Sequence, residues 1–144
     1  MPKSLHAFFI PILLTSFIFA QEIPSFAVLD LEGRGISPIE AVSLTDRLRS
    51  ELVKTETVAV IERGQMEQIL SEQDFQLLGC TSDECAVEVG QLLSVTNMIA
   101  GSIGRVGSIY TLDVRIISVE TGEITSSITR DYRGEVEGLL GEIR

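Results

Sequence analysis

Few residues in this chain have the types and spacing that covalent chemistry requires. The one histidine among 144 residues, His6, lies in an apolar N-terminal stretch, so the rest of the chain has no imidazole base. That excludes Ser-His and Cys-His nucleophile pairs beyond the stretch and disfavours hydrolysis at a histidine-held metal. Asp30 and Glu32 close an apolar run, where open α/β sheets often place their sites. Such carboxylates do acid–base work or hold a divalent cation; the competing reading is loop and capping groups on an acidic protein. Gly33-Arg34-Gly35 lacks the third glycine of a dinucleotide fingerprint and any phosphate-binding lysine. Gly101-Ser102-Ile103-Gly104 is no nucleophile elbow, and its glycines suit close packing at a strand end. Arg63 has the chemistry to bind an anion or, more commonly, to make a surface ion pair. The sequence implies no catalytic residue, no cofactor and no metal.

Cys80 and Cys85 are the only cysteines. Their spacing is not that of a CxxC redox pair, and two thiolates without histidines fall short of a zinc site. In an oxidising compartment they read as a disulfide, contributing about 2 kcal/mol through loop closure.

The compartment follows from the N-terminus. Lys3 and His6 precede Ala7 to Ala20, almost wholly apolar and interrupted by Pro11, Thr15 and Ser16. This is the pattern of a secretory signal over residues 1–20, too short for a comfortable membrane span. Cleavage after Ala20 would release a domain over 21–144. Ile18 is bulky where a small residue is preferred, so an uncleaved anchor is the alternative. Both place the domain outside the cytoplasm, in the periplasm or at the outer membrane, with membrane association only through that segment or a partner. The chain carries 11 basic and 21 acidic side chains, net −10, and losing Lys3 makes it more negative. Nucleic acid is excluded as a partner, since its binding depends on neutralising phosphates.

The elements that must hold these residues are legible from periodicity. Phe26 to Leu31 reads as a buried first strand, broken by Glu32 to Ile36. Ser37-Pro38-Ile39-Glu40 is a helix start with a capping box, followed by Val42, Thr45, Leu48 and Leu52 at helical spacing. Thr57 to Ile61 is a second strand; Gln65 to Glu72 and Glu84 to Leu93 are helices, with Met66, Ile69 and Leu70 on the inner face of the first. Met98 to Ile103 is a third strand, Gly104 to Ser108 a turn. Tyr110 to Val119 and Ile124 to Tyr132 form an antiparallel hairpin about Glu120 to Glu123. Val136, Leu139, Leu140 and Ile143 form a last amphipathic piece. Alternating strands and helices, then strands alone, predict an α/β fold. Its mixed five-stranded sheet is parallel in the first half and ends in the hairpin, with helices packed on it.

Several segments in this order resemble a known superfamily. They are Phe26-Ala-Val-Leu-Asp-Leu-Glu-Gly-Arg-Gly, Leu44-Thr-Asp-Arg-Leu-Arg-Ser-Glu-Leu, Val60-Ile-Glu-Arg-Gly-Gln-Met-Glu-Gln-Ile-Leu, Gly79-Cys-Thr-Ser-Asp-Glu-Cys, Ala100-Gly-Ser-Ile-Gly and Val119-Glu-Thr-Gly-Glu-Ile. The resemblance is to the soluble domain shared by CsgG-type curli secretion proteins, LpoB-type activators of penicillin-binding proteins and TolB amino-terminal-like domains. It implies a non-enzymatic periplasmic module that binds envelope proteins or assembles with itself. CsgG-type and LpoB-type members usually carry a lipid-bearing cysteine after the signal; here that place is Gln21. No long barrel strands and no disordered linker interrupt the chain. The surface expected to meet a partner is Glu62, Arg63, Gln65 and Met66 with the Cys80–Cys85 loop, Met66 having core packing as its alternative. The competing function is a small-ligand or cation sensor built on Asp30 and Glu32.

Overall fold

The structure is a computed structural model that describes residues 22–77 and 80–143. The leader expected over residues 1–20 lies outside the described residues, as do Gln21, Leu78, Gly79 and Arg144.

Strands β1 (Ser25–Val28), β2 (Glu32–Arg34), β3 (Ala59–Val60), β4 (Asn97–Val106), β5 (Ile109–Ser118) and β6 (Ile124–Arg133) form one sheet. Its path runs β3-β1-β4-β5-β6, with β2 beside β4. β1 is parallel to β3 and β4, whereas β4–β5 and β5–β6 are antiparallel. The expected parallel half and closing hairpin are therefore present. The sixth, short strand β2 falls where a break was expected. β4 also outruns its expected end and turns at Gly107, whose φ is +62°.

Helix α1 (Pro38–Lys54) forms as its capping signals require. The Ser37 N–H donates to Glu40 Oε2 at 2.7 Å, and the Glu40 N–H donates to Ser37 Oγ at 3.2 Å. The Ser37 backbone N–H, and after it the Ser37 hydroxyl, hold the Glu40 carboxyl below its ordinary value. A depressed folded-state value means that the unfolded chain binds the proton more readily. The stabilisation is thus present above the unfolded value and lost as pH falls through the folded one. Glu40→Gln should melt lower than the parent near neutrality, and thermal melts in acid should show the gap closing.

Helices α2 (Arg63–Glu72) and α3 (Asp83–Leu93) cover the opposite face of the sheet from α1. Met66, Leu70, Ala86, Val89 and Leu93 pack there on Ala27, Leu29, Met98, Ala100 and Ile117. On the α1 side, Leu44 and Leu48 pack with Leu31, Ile103, Tyr110 and Leu112. Leu139 and Ile143 join this second core from a 3₁₀ turn at Val136–Gly138 and the short helix α4 (Leu139–Glu142). The last amphipathic piece is thus a broken helix, bent where Gly138 passes the Tyr132 ring. Each core buries branched apolar side chains at about 1.5–3 kcal/mol apiece.

One irregularity positions the site. From Val28 to Glu32 the chain advances four residues, while its partner β4 advances three, from Ile99 to Ser102. The extra residue is a bulge, and it reverses the alternation of side chains. Leu29 therefore points into the α2–α3 core and Leu31 into the α1 core. Thr45, fully buried, holds the bend by accepting the Leu31 N–H at 3.0 Å while donating to the Ala41 carbonyl.

Candidate functional site

β1 is the switch point of the sheet: its parallel neighbours β3 and β4 lie on opposite sides, and the connecting helices leave on opposite faces. Open α/β sheets bind ligands in the crevice beyond the carboxyl end of such a strand. The bulge places Asp30 there.

The Asp30 carboxylate sits between two guanidinium groups. Arg49 Nη2 of α1 donates to Oδ1 at 3.0 Å, and Arg63 Nη2 of α2 meets Oδ2 at 2.8 Å. Arg49 also donates to the Val28 carbonyl at 2.7 Å and to Asp46 at 2.6 Å, locking α1 to β1. Arg63 pairs in addition with Glu67 at 2.8 Å, the main cause of its raised pKa. Glu32 and Arg34 pair through two hydrogen bonds of 2.9 and 3.2 Å, which hold the Glu32 carboxyl below its ordinary value. Across the crevice Arg115 of β5 donates to Asp83, at the start of α3, and to the Thr81 carbonyl at 3.3 Å.

Cys80 and Cys85 form a disulfide with Cα atoms 5.5 Å apart. It ties the loop before α3 to the first turn of that helix, whose N-cap Ser82 accepts the Cys85 N–H at 3.2 Å. Both half-buried cysteines pack against the α2–α3 core, so the bond also anchors the crevice wall carrying Thr81 and Asp83.

The structure brings both expected residue sets to one place, because the Asp30–Arg63 pair joins the carboxylate edge to the start of α2. Glu62 caps α2 with its backbone, its carbonyl accepting the Met66 N–H, and Glu62 and Gln65 are exposed. Met66 is 2% exposed and packs in the core, so it supports the surface from below without reaching it. Asp30 and Glu32 both line the crevice, and each carboxylate is engaged by arginine. A divalent cation at either carboxylate would have to compete with those arginine partners. Arg34, Arg49 and Arg115 were missed as members of the site. The signal for Arg49 was present, one helical turn after Thr45 on the inner face of α1.

The enclosed volume of the crevice is about 50 Å³, lined by Glu32, Arg34, Thr81, Ser102 and Arg115 among others. A drug-sized ligand needs several hundred cubic ångströms. Arg34, with a side chain 64% exposed, and Glu32, at 41%, stand out over this shallow floor. Fold and site together define a small open α/β domain that presents alternating fixed charges at its switch point.

The sequence comparison is more specific. The chain belongs to the family described as curli production assembly/transport component CsgG, whose pattern matches residues 36–110. No curated protein matches the chain by sequence. Among solved structures, the LpoB C-terminal domain from Escherichia coli superposes with a TM-score of 0.67 at 16% identity, over 78% of this chain and 84% of that one. Lipoprotein GNA1162 from Neisseria meningitidis gives 0.63 at 12% identity, over 83% and 89%. The PelC dodecamer from Paraburkholderia phytofirmans gives 0.54 at 12% identity, over 84% and 78%. At these identities the likeness is one of fold.

Proposed function

We propose that this protein is a non-enzymatic module of the cell envelope, exported by its N-terminal leader and acting by binding other envelope proteins or copies of itself. The observation that carries the reading is the switch-point surface. Its charges are paired between neighbouring side chains, over a floor that encloses about 50 Å³. Fixed, complementary charge of this kind gives specificity to a protein contact. Family membership supports a role in secretion or envelope assembly. The similarity to the LpoB domain favours, as a second reading, activation of a peptidoglycan synthase. Among the described residues no helix is long and apolar enough to cross a membrane, which fits attachment through the leader or a partner.

The test uses the full chain, produced with its own leader and recovered from the envelope. A double charge reversal, Glu32→Lys with Arg34→Glu, keeps the local ion pair but inverts its polarity. The parent should retain a discrete envelope protein that the double variant loses, with both chains melting alike. Equal retention by both would remove this surface from the proposal.

A further inference from the structure

The sheet face that carries the crevice continues beyond it. α3 begins at Asp83, which Arg115 holds, and by Gly90 the helix lies against Met98 and Val119. In the other direction, past the start of α3, strand register sets three more rows on the same face. Glu32, Ser102 and Asp113 form the first, and Arg34, Gly104, Thr111 and Asp131 the second. The last row, at the β4–β5 turn, is Val106, Ile109 and Arg133. Val106 is 83% exposed, the most of any large apolar side chain among the described residues, and Ile109 directly opposite is 36% exposed. Single apolar side chains on a surface are ordinary, but two paired across strands make a continuous strip.

The turn beneath this strip is pinned from two sides. Arg105 Nε donates to the Gly107 carbonyl at 3.0 Å, and the Gly134 N–H donates to the Ser108 carbonyl at 3.3 Å. A strip ordered in advance loses little conformational freedom on binding. Arg133 supplies a second observation. Arg34, Arg63 and Arg115 each pair with a carboxylate, whereas exposed Arg133 makes no ion pair among the described residues. In a chain with 21 acidic and 11 basic side chains, its charge is left for a carboxylate from another molecule.

We infer that the hairpin tip is the apolar anchor of the partner contact. Val106 and Ile109 seat against an apolar side chain of the envelope protein, and Arg133 meets a carboxylate beside it. This deepens the protein-binding reading above and rests on it. It supplies what the charged crevice edge lacks, since a protein interface combines an apolar centre with a polar rim. Charge selects a protein as the occupant. Glu32, Asp113 and Asp131 share this face with Arg34, Arg115 and Arg133, so both signs alternate across it. An anionic bilayer presents one sign and would be repelled by Asp131 beside the strip. A protein can set an opposite charge against each. Two copies of this chain, each of net charge −10, repel one another, which favours a different protein.

Photo-crosslinking from position 106 of the full chain in intact cells, beside the same measurement from position 34, tests this directly. The expected result is one adduct of the same mass from both positions. Val106→Ser and, separately, Arg133→Glu should each lower the yield from position 34 about tenfold, as loss of a central anchor does, while Arg133→Lys retains it. All three variants should melt like the parent, because both side chains are exposed. An adduct from position 34 that Val106→Ser and Arg133→Glu leave unchanged, with none from position 106, would overturn the inference and leave the envelope-protein reading intact. An adduct from position 106 at twice the chain mass would mark a second copy as the occupant. Sedimentation with phosphatidylglycerol vesicles that Val106→Ser abolishes would mark a bilayer; either result overturns the inference. No adduct from either position would remove both readings.

Discussion

Replacing Arg49 with methionine should cost about 2–3 kcal/mol of folding stability, seen as a lower urea midpoint at unchanged slope. The side chain is 9% exposed and joins three groups: the Val28 carbonyl, Asp30 and Asp46. The two carboxylates are 39% and 56% exposed and would regain water, so their loss is discounted. The Val28 carbonyl is different. Val28 is fully buried, and its oxygen would lose a charged donor that methionine cannot replace. Methionine keeps the bulk of the side chain, so the measured loss would report the polar contacts and not a cavity. The substitution should also loosen Asp30, leaving Arg63 as its remaining guanidinium partner.

Gly101→Ala should be at least as damaging, at about 3 kcal/mol, the upper range for overpacking. A Cβ at this position would overlap the carbonyl oxygen of Asp113 on β5 and press on the Leu31 side chain. Both are fixed, one by the sheet and the other by the bulge that shapes the site. Gly104→Ala, three residues along the same strand, is the internal control. Its Cβ would find only the Thr111 oxygen at 4.0 Å, an ordinary contact, and its cost should be small. Paired denaturation curves for the two variants separate steric exclusion from a general intolerance of alanine in β4.

Much of the fold was legible because its signals are local. Ser37, Pro38 and Glu40 specify a helix start within four residues, and the Thr121-Gly122 turn specifies the hairpin. Short β3 was read too long, since Thr57 and Val58 have strand-forming side chains but no strand partner among the described residues. The bulge left no mark, because Leu29 and Leu31 are apolar whichever core each enters. Only the register of β4 reveals that they face opposite ways. The site was legible in part for the same reason. Asp30, Glu32 and Arg63 stand out at strand ends, whereas Arg115 meets Asp83 only through tertiary structure, 32 residues apart. Met66 illustrates the reverse. It falls at an inner position of α2, and the burial of that face decides against its use as a contact.

The central claim is that the switch-point surface meets another envelope protein. The direct measurement places a photo-crosslinking side chain at position 34, irradiates intact cells, and compares position 72 at the far end of α2. The account predicts a discrete adduct with one envelope protein from position 34 and none from position 72. No adduct from position 34, or the same adduct from both, would contradict it.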